Sequence, residues 1–344
     1  MNKPLRLSVL DQSPVISGHT PAQAVRETIR LAQAAERLGY HRYWLAEHHA
    51  LAALGDPCPE ILATRVAAET SRIRVGTGGV LLPYYSPLKV AEQFRMLEAL
   101  YPGRIDLGIG RAPGGDQMTT LAMGEGRYPS AEHFPEQVQY VVAYLDDAMP
   151  HGHPFAGVKA MPAGPTAPQI WLLGSSDYSG ALAASLGLRF AFAHFISAEG
   201  GDIVMRDYRQ RYEPSAREPT PHALLCVFAI CAETEREAER LSASIALRRL
   251  NTDHGVNAPI PNHDEVKAYR YTDSDQRRMA HHGRRVVHGT PERVYSRLLE
   301  LQEQYAADEL MVITITGDYE SRLRSYELLA GAFNLCQPDA APVR

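Results

Sequence analysis

The feature that most limits what this chain can fold into is its rhythm. Short β-branched or apolar runs alternate with longer segments of helical periodicity from one end to the other. That alternation predicts repeated βα units and a parallel sheet, because parallel strands need long crossover connections. Eight strand candidates can be placed: Leu5–Leu10, Tyr40–Ala46, Ile73–Leu81, Ile105–Ile109, Gln169–Leu173, Arg189–Phe195, Ala223–Ile230 and Glu309–Ile315. Thr20 and Pro21 before a helical stretch that ends at Gly39 supply a cap, an N1 proline and a terminal glycine in order, and Ser86-Pro87 opens the third helix in the same way. Eight crossovers favour an α/β fold closed into a (β/α)8 TIM barrel over an open sheet. No linker or internal repeat divides residues 1–344, so a single domain is expected.

Two stretches break the rhythm. Residues 151–168, HGHPFAGVKAMPAGPTAP, carry too much proline and glycine for a helix and predict an irregular, peripheral excursion before the fifth strand. Residues 251–288 are polar, charged and rich in histidine; a loop of that length inside a compact domain reads as a lid over the active site.

Composition removes several classes of function. The net charge of -5 and the lack of a basic stripe interleaved with aromatics argue against nucleic-acid binding. The opening MNKPLRLSVLDQSP has too short an apolar run for a signal peptide, and no stretch approaches the roughly 20 apolar residues of a membrane helix, so a cytoplasmic protein is expected. Cys58, Cys226, Cys231 and Cys336 form no CxxC pair, and Cys226 and Cys231 share one strand at an odd separation, which turns them to opposite faces. Neither a zinc site nor a disulfide framework is suggested.

In a β/α barrel, chemistry sits where strands run out into βα loops. The second strand runs into Glu47-His48-His49, a carboxylate and two imidazoles, where a change of charge near neutral pH suits proton transfer. Such a cluster also fits hydrogen bonding to loop backbone, or metal ligation in a barrel hydrolase, although the other strand ends add only Asp11 and His194. The fourth strand ends IDLGIGRAPGG, in which two alternating glycines open room beside the backbone and Arg111 offers a planar fork suited to phosphate; a loose surface arginine is the plainer reading. A dinucleotide fingerprint fails there, since Pro113 holds the third glycine position. After the fifth strand, Gly174-Ser175-Ser176-Asp177-Tyr178-Ser179 leads into a helix whose N-terminus suits an anion, or is capped by serine with no ligand. Gly76, Gly78 and Gly79 crowd the third strand, which calls for a bulge, an unusual peptide, a flat ligand or tight packing at the rim.

Taken together, YHRYWLAEHH, RVGTGGVLLPYYSPLKVAEQFRMLEAL, PGRIDLGIGRA, VVHGTPERV and DELMVITITGDYESRLRSYELLA resemble segments of the bacterial luciferase-like family of flavin-dependent monooxygenases, from the first strand to the last helix. The resemblance implies an oxidoreductase that uses reduced FMN and O₂ on a small organic substrate, with a deazaflavin as the less favoured cofactor and a partner reductase as the source of reduced flavin. It gives His48 the role in flavin and substrate chemistry, with Glu47 and His49 beside it. By the same likeness, Arg111, Gly174, Ser175, Ser176 and Ser179 lie at the phosphate, and Gly78-Gly79 forms a non-prolyl cis peptide beneath the ring. Homodimers paired through the second and third helices, here around 59–71 and 87–100, are implied as well. The chain departs from luciferase at Gly110, where a reactive cysteine would stand, and at Ser175, where a glutamate would stand, so light emission does not follow. A flavin-storage protein without turnover is the main rival reading, and a metal-dependent hydrolase the other.

Overall fold

Backbone pairing closes the alternating pattern into a ring. The computed structural model describes residues 5–335. Its strands are β1 (Arg6–Asp11), β2 (Arg42–Leu45), β3 (Arg74–Thr77), β4 (Val80–Leu81), β5 (Ile105–Gly110), β6 (Gln169–Gly174), β7 (Arg189–Ala193), β8 (Ala223–Cys231), β9 (Val286–Gly289) and β10 (Glu309–Ile313). The α-helices are α1 (Pro21–Leu38), α2 (Pro59–Ala68), α3 (Pro87–Leu100), α4 (Gln117–Met123), α5 (Phe134–Leu145), α6 (Asp177–Ser185), α7 (Gly201–Gln210), α8 (Glu235–Asp253), α9 (His263–Ala268), α10 (Asp273–Gly283), α11 (Pro291–Gln304) and α12 (Tyr319–Ala332). All strand pairings are parallel, and β10 closes the barrel by pairing with β1 at Arg6↔Glu309 and with β8 at Leu224↔Glu309. The fold is a (β/α)8 TIM barrel, in which β3 and β4 together fill one position of the ring.

The local signals act as read. Thr20 caps α1 in a reciprocal capping box with Gln23, Pro21 stands at N1, and Gly39 ends the helix in the left-handed conformation at φ 87°. Ser86 stands at the N-cap of α3, but its hydroxyl makes no capping hydrogen bond. Along the strands, side chains alternate between two cores. Val9, Tyr43, Val75, Leu107 and Leu225 pack outward against the helices, while Leu10, Trp44, Trp171, Leu224 and Met311 fill the barrel interior. Cys226 joins the inner set and Cys231 the outer, as their odd spacing requires. Cys336 lies outside the described residues.

Residues 151–168 form neither helix nor strand. The segment 251–288 differs from a bare loop: it holds the end of α8, then α9, α10 and most of β9, a strand that pairs with the far end of β8 from Phe228↔Val286 to Cys231↔Gly289. Asn262 with Glu265 and Thr272 with Asp275 form capping boxes that start its two short helices.

The barrel floor is charged. Arg42 of β2 donates from Nε to Glu309 of β10 and from Nη1 to Asp106 of β5, each at 2.7 Å, and all three side chains are fully buried. Arg74 grips the other oxygen of Asp106 at 2.7 and 2.9 Å, Trp44 Nε1 donates to Asp106 at 2.9 Å, and Ser8 donates to Glu309 at 2.5 Å. Burial opposes ionisation of both carboxyls, yet the adjacent guanidiniums outweigh it and hold both below the usual carboxylate range. Removing one partner of a buried pair leaves the others uncompensated. Arg42→Met should therefore cost ~3–5 kcal/mol, measured by urea unfolding. A loss below about 1 kcal/mol would show that the floor contributes no more than a surface ion pair.

Candidate active site

The C-terminal ends of the strands surround a cavity of about 420 Å³, a size in the range of small-molecule sites. Leu10, Trp44, Leu224, Cys226 and Met311 form its apolar depth; Glu47, His48, Gly78, Gly79, Arg111 and the loop after β6 form its mouth.

One wall is made by glycine. The strand expected over 73–81 is interrupted at a cis peptide between Gly78 and Gly79, after which β4 resumes. A Cβ at Gly78 would stand 2.7 Å from Leu10 Cδ1, and one at Gly79 would stand 2.6 Å from the Gly108 carbonyl oxygen. Backbone without side chains thus faces the cavity here, which leaves a flat surface between Trp44 and Leu173. Gly76 and Gly108, like Gly79, are also required by packing. A Cβ on either would run into the backbone of the opposing strand, so those two glycines let β3 and β5 approach each other.

The opposite part of the mouth is polar. Arg111, exposed at the end of β5, lays its guanidinium over the ring of Tyr178 at 4.0 Å, within cation–π range. Tyr178 lies in the first turn of α6. Ser176 holds the N-cap position of that helix, but its hydroxyl makes no capping hydrogen bond. Ser175, Ser176 and Ser179 all line the cavity, with Ser179 buried; a Cβ on Gly174 would collide with Ser179, so the glycine makes the room that Ser179 needs. A fork-shaped cation, uncommitted hydroxyls and a helix N-terminus converge here, which is the chemistry of an anion site. The residues that sequence reading singled out at β5 and β6 are therefore brought together. Tyr178 has no role that its sequence position alone discloses; its contact with Arg111 depends on β5 and β6 being neighbours in the barrel.

The Glu-His-His run divides. Glu47 is buried and its oxygens are engaged: Oε2 accepts from Leu81 N at 2.8 Å, and Oε1 accepts from the Tyr85 hydroxyl at 2.6 Å and from His49 Nε2 at 2.7 Å. His49 does not line the cavity; its ring meets Tyr84 edge-on and its backbone N donates to Gly114 O at 2.9 Å. Glu47 and His49 thus brace the loop after β2 against β4 and the glycine loop, the plainer of the readings open from sequence. His48 alone of the three turns its imidazole to the cavity uncommitted. Its Nδ1 lies 3.4 Å from Ala46 O, and because a carbonyl only accepts, Nδ1 carries the proton and Nε2 the lone pair. Burial pushes His48 down to about 4, so the change of charge expected near neutral pH does not occur: the ring is a neutral acceptor at pH 7.

The two isolated groups at other strand ends are structural. Asp11 is buried and paired with Arg322 of α12 at 2.7 Å, with Ser13 N as a further donor. His194 packs against Tyr305 and lies away from the cavity lining. Among the described residues, no three His, Cys, Asp or Glu side chains gather as a metal site, and no helix is long and apolar enough to cross a membrane.

The segment 251–288 reaches the rim of this mouth. Asn257 bridges the loop after β2, donating to Ala50 O at 2.9 Å and accepting from Ala52 N at 2.8 Å. Ile260 exchanges backbone hydrogen bonds with Val15 and Ser17 beyond β1, both at 2.8 Å. These contacts pin residues 257–260 across the ends of the first two strands.

Comparison with known proteins agrees with this architecture. An uncharacterized protein of Bacillus subtilis is 46% identical over 95% of this chain and 98% of its own length, and the luciferase-like monooxygenase of Escherichia coli (strain K12) is 38% identical over 95% and 96%. The crystal structure of apo-MsnO8 superposes with a TM-score of 0.90 at 42% identity, over 97% of this chain and all of that one. The family model described as luciferase-like monooxygenase matches residues 5–308, and the chain belongs to that family.

Proposed function

We propose that this protein is an FMN-dependent monooxygenase that takes reduced flavin from a separate reductase and uses O₂ to oxidise a small organic substrate. The observation that carries the reading is the shared cavity: a side-chain-free peptide wall at Gly78-Gly79, an anion site at Arg111 with the serines of α6, and the imidazole of His48. A planar ring system with a phosphate tail fits that set. The wall accepts the ring face, and Arg111, Ser175, Ser176 and Ser179 hold the phosphate. Reduced FMN, when bound, supplies the electrons that activate O₂.

The chain supplies the rest. Apolar depth around Trp44, Leu224 and Met311 keeps water from the reacting face, and the segment pinned by Asn257 and Ile260 serves as its cover. His48, neutral and with its lone pair on Nε2, accepts a proton from the substrate and returns it later. Glu47 and His49 are positioning residues that fix the loop on which His48 stands. A storage role without turnover would have no use for a neutral, uncommitted base at the mouth.

A homodimer forms through α2 and α3. Ile61, Met96, Leu100 and Met161 are exposed around one groove between these helices, an apolar patch that a second copy would cover.

Three outcomes check these statements. Arg111→Ala should weaken FMN by about ten-fold or more, measured by fluorescence titration, and leave phosphate-free riboflavin nearly unchanged; equal losses for both would remove the arginine from the phosphate site. His48 has a folded value near 4, below its ordinary 6.5, so the unfolded chain takes up the proton first and stability falls as pH drops from about 6.5 to 4. The His48→Gln variant should lose less stability over that window than the wild type in urea unfolding, and a parallel fall in both would place the shift elsewhere. Light scattering should give twice 38.0 kDa for the wild type and the monomer mass for Met96→Glu; a monomeric wild type ends the dimer reading.

A further inference from the structure

The lining of the cavity changes around the ring. Groups suited to an anion come from β5 and from the loop and helix after β6, where Arg111, Ser175, Ser176 and Ser179 stand. Along the arc from β7 through β8 and β10 to β1, no charged side chain lines the cavity among the described residues.

In ring order β8 stands four places from the position shared by β3 and β4, so it faces the Gly78-Gly79 wall across the barrel. The register sets Ala193 beside Cys226 and Cys226 beside Met311, one inward row across three strands, with Ala191 beside Leu224 in the row below. Elsewhere inside the barrel the side chains are bulky: Trp44 and Trp171 meet edge-on, their ring centroids 5.3 Å apart. The two alanines of β7 therefore open space that the indoles close on β2 and β6. Burial pushes the Cys226 thiol up, so it is uncharged at neutral pH. An ion seated on this row would lose its water and find no partner, whereas a hydrocarbon would meet methyl groups and two soft sulfurs.

The arc ends in one uncommitted polar side chain. Extending the pairing Asp11↔Leu45 by a residue puts Gln12 beside Ala46, and Ala46 N donates to Asp11 O at 3.0 Å. Gln12 and Ala46 both line the cavity, as does His48, two residues after Ala46. The side-chain amide of Gln12 makes no hydrogen bond among the described residues. That amide offers donors and an acceptor, while Nε2 of His48 only accepts. A hydroxyl is matched to the pair, because it can receive from the amide and donate to the imidazole.

We propose that the substrate is an uncharged molecule whose single polar head both donates and accepts, as a hydroxyl does, and is held by Gln12 beside His48, with its apolar body over Ala193 and Cys226. Gln12 then selects the head, and Ala193 sets the size of the body. The assignment rests on the monooxygenase reading for what becomes of the substrate, but not for its binding. It also keeps the two ligands apart: the anion at Arg111 after β5, and the neutral molecule on the arc from β7 to β2.

Calorimetric titration of the full chain compares hexan-1-ol, hexanoate and hexylammonium, with saturating FMN and again in flavin-free protein with excess inorganic phosphate, so that an anion is available to Arg111 in both. Hexan-1-ol should bind about ten-fold tighter or more than either ion. Gln12→Met, close in shape but without the amide, should weaken the alcohol about three- to ten-fold. Ala193→Leu, which fills the row, should weaken it about ten-fold or more. Both variants should hold FMN as the wild type does. Equal or tighter binding of an ion, no binding of the alcohol, or unchanged alcohol affinity in either variant overturns the proposal. So does an Ala193→Leu variant that loses FMN as much as the alcohol, since the row would then belong to the flavin. If FMN fails to bind the wild type, the flavin reading falls while the phosphate titration still decides this one. Should one variant not fold, the other carries the comparison.

Discussion

The barrel depends on a charged floor that is stable only when complete. Arg42 comes from the second strand of the ring, Asp106 from β5 and Glu309 from the strand that closes it, so the pairing of three side chains reports that the ring has shut. Each charge is expensive to bury alone. The geometry offsets this by giving both oxygens of Asp106 to cations or an indole, and one oxygen of Glu309 to Arg42 and Ser8. The other oxygen of Glu309 has only His222 near it, at 3.8 Å. Polar groups at the N-terminal end leave the opposite end free to be apolar and open, and the cavity is found there.

The glycines of the third and fifth positions join the two ends. Of the readings open from sequence for Gly76, Gly78 and Gly79, the unusual peptide is present between Gly78 and Gly79, and tight packing holds at Gly76 and Gly79. Gly76, Gly79 and Gly108 are packing glycines, needed because the backbones touch; a Cβ on Gly78 would meet the Leu10 and Trp44 side chains, and Gly78 and Gly79 also line the cavity. The close approach of β3 to β5 seats the cis peptide beside Gly108, so wall and packing are one construction.

Legibility followed periodicity. The eight barrel positions were readable because their strands are buried on both faces and their helices carry an apolar stripe. The segment 251–288 was not, because α9 has no buried residue and α10 only Asp275, so neither shows an apolar period. Its capping boxes at Asn262 and Thr272 were visible as letters, and they are what a second reading should weigh. β9 escaped because four residues, three of them only partly buried, give no alternation to detect. In the site, residue types were legible and directions were not. A loop has no period, so nothing in Glu47-His48-His49 told which side chain turns to the cavity.

Burial explains why His48 is neutral. The one carboxylate of the Glu-His-His run, Glu47, is spent on Leu81, Tyr85 and His49. With that charge committed, the Ala46 carbonyl is left to favour the imidazolium, and burial outweighs it. The loop that Glu47 and His49 hold in place therefore presents a neutral acceptor to the cavity, and it does so through burial rather than through any rearrangement of charge.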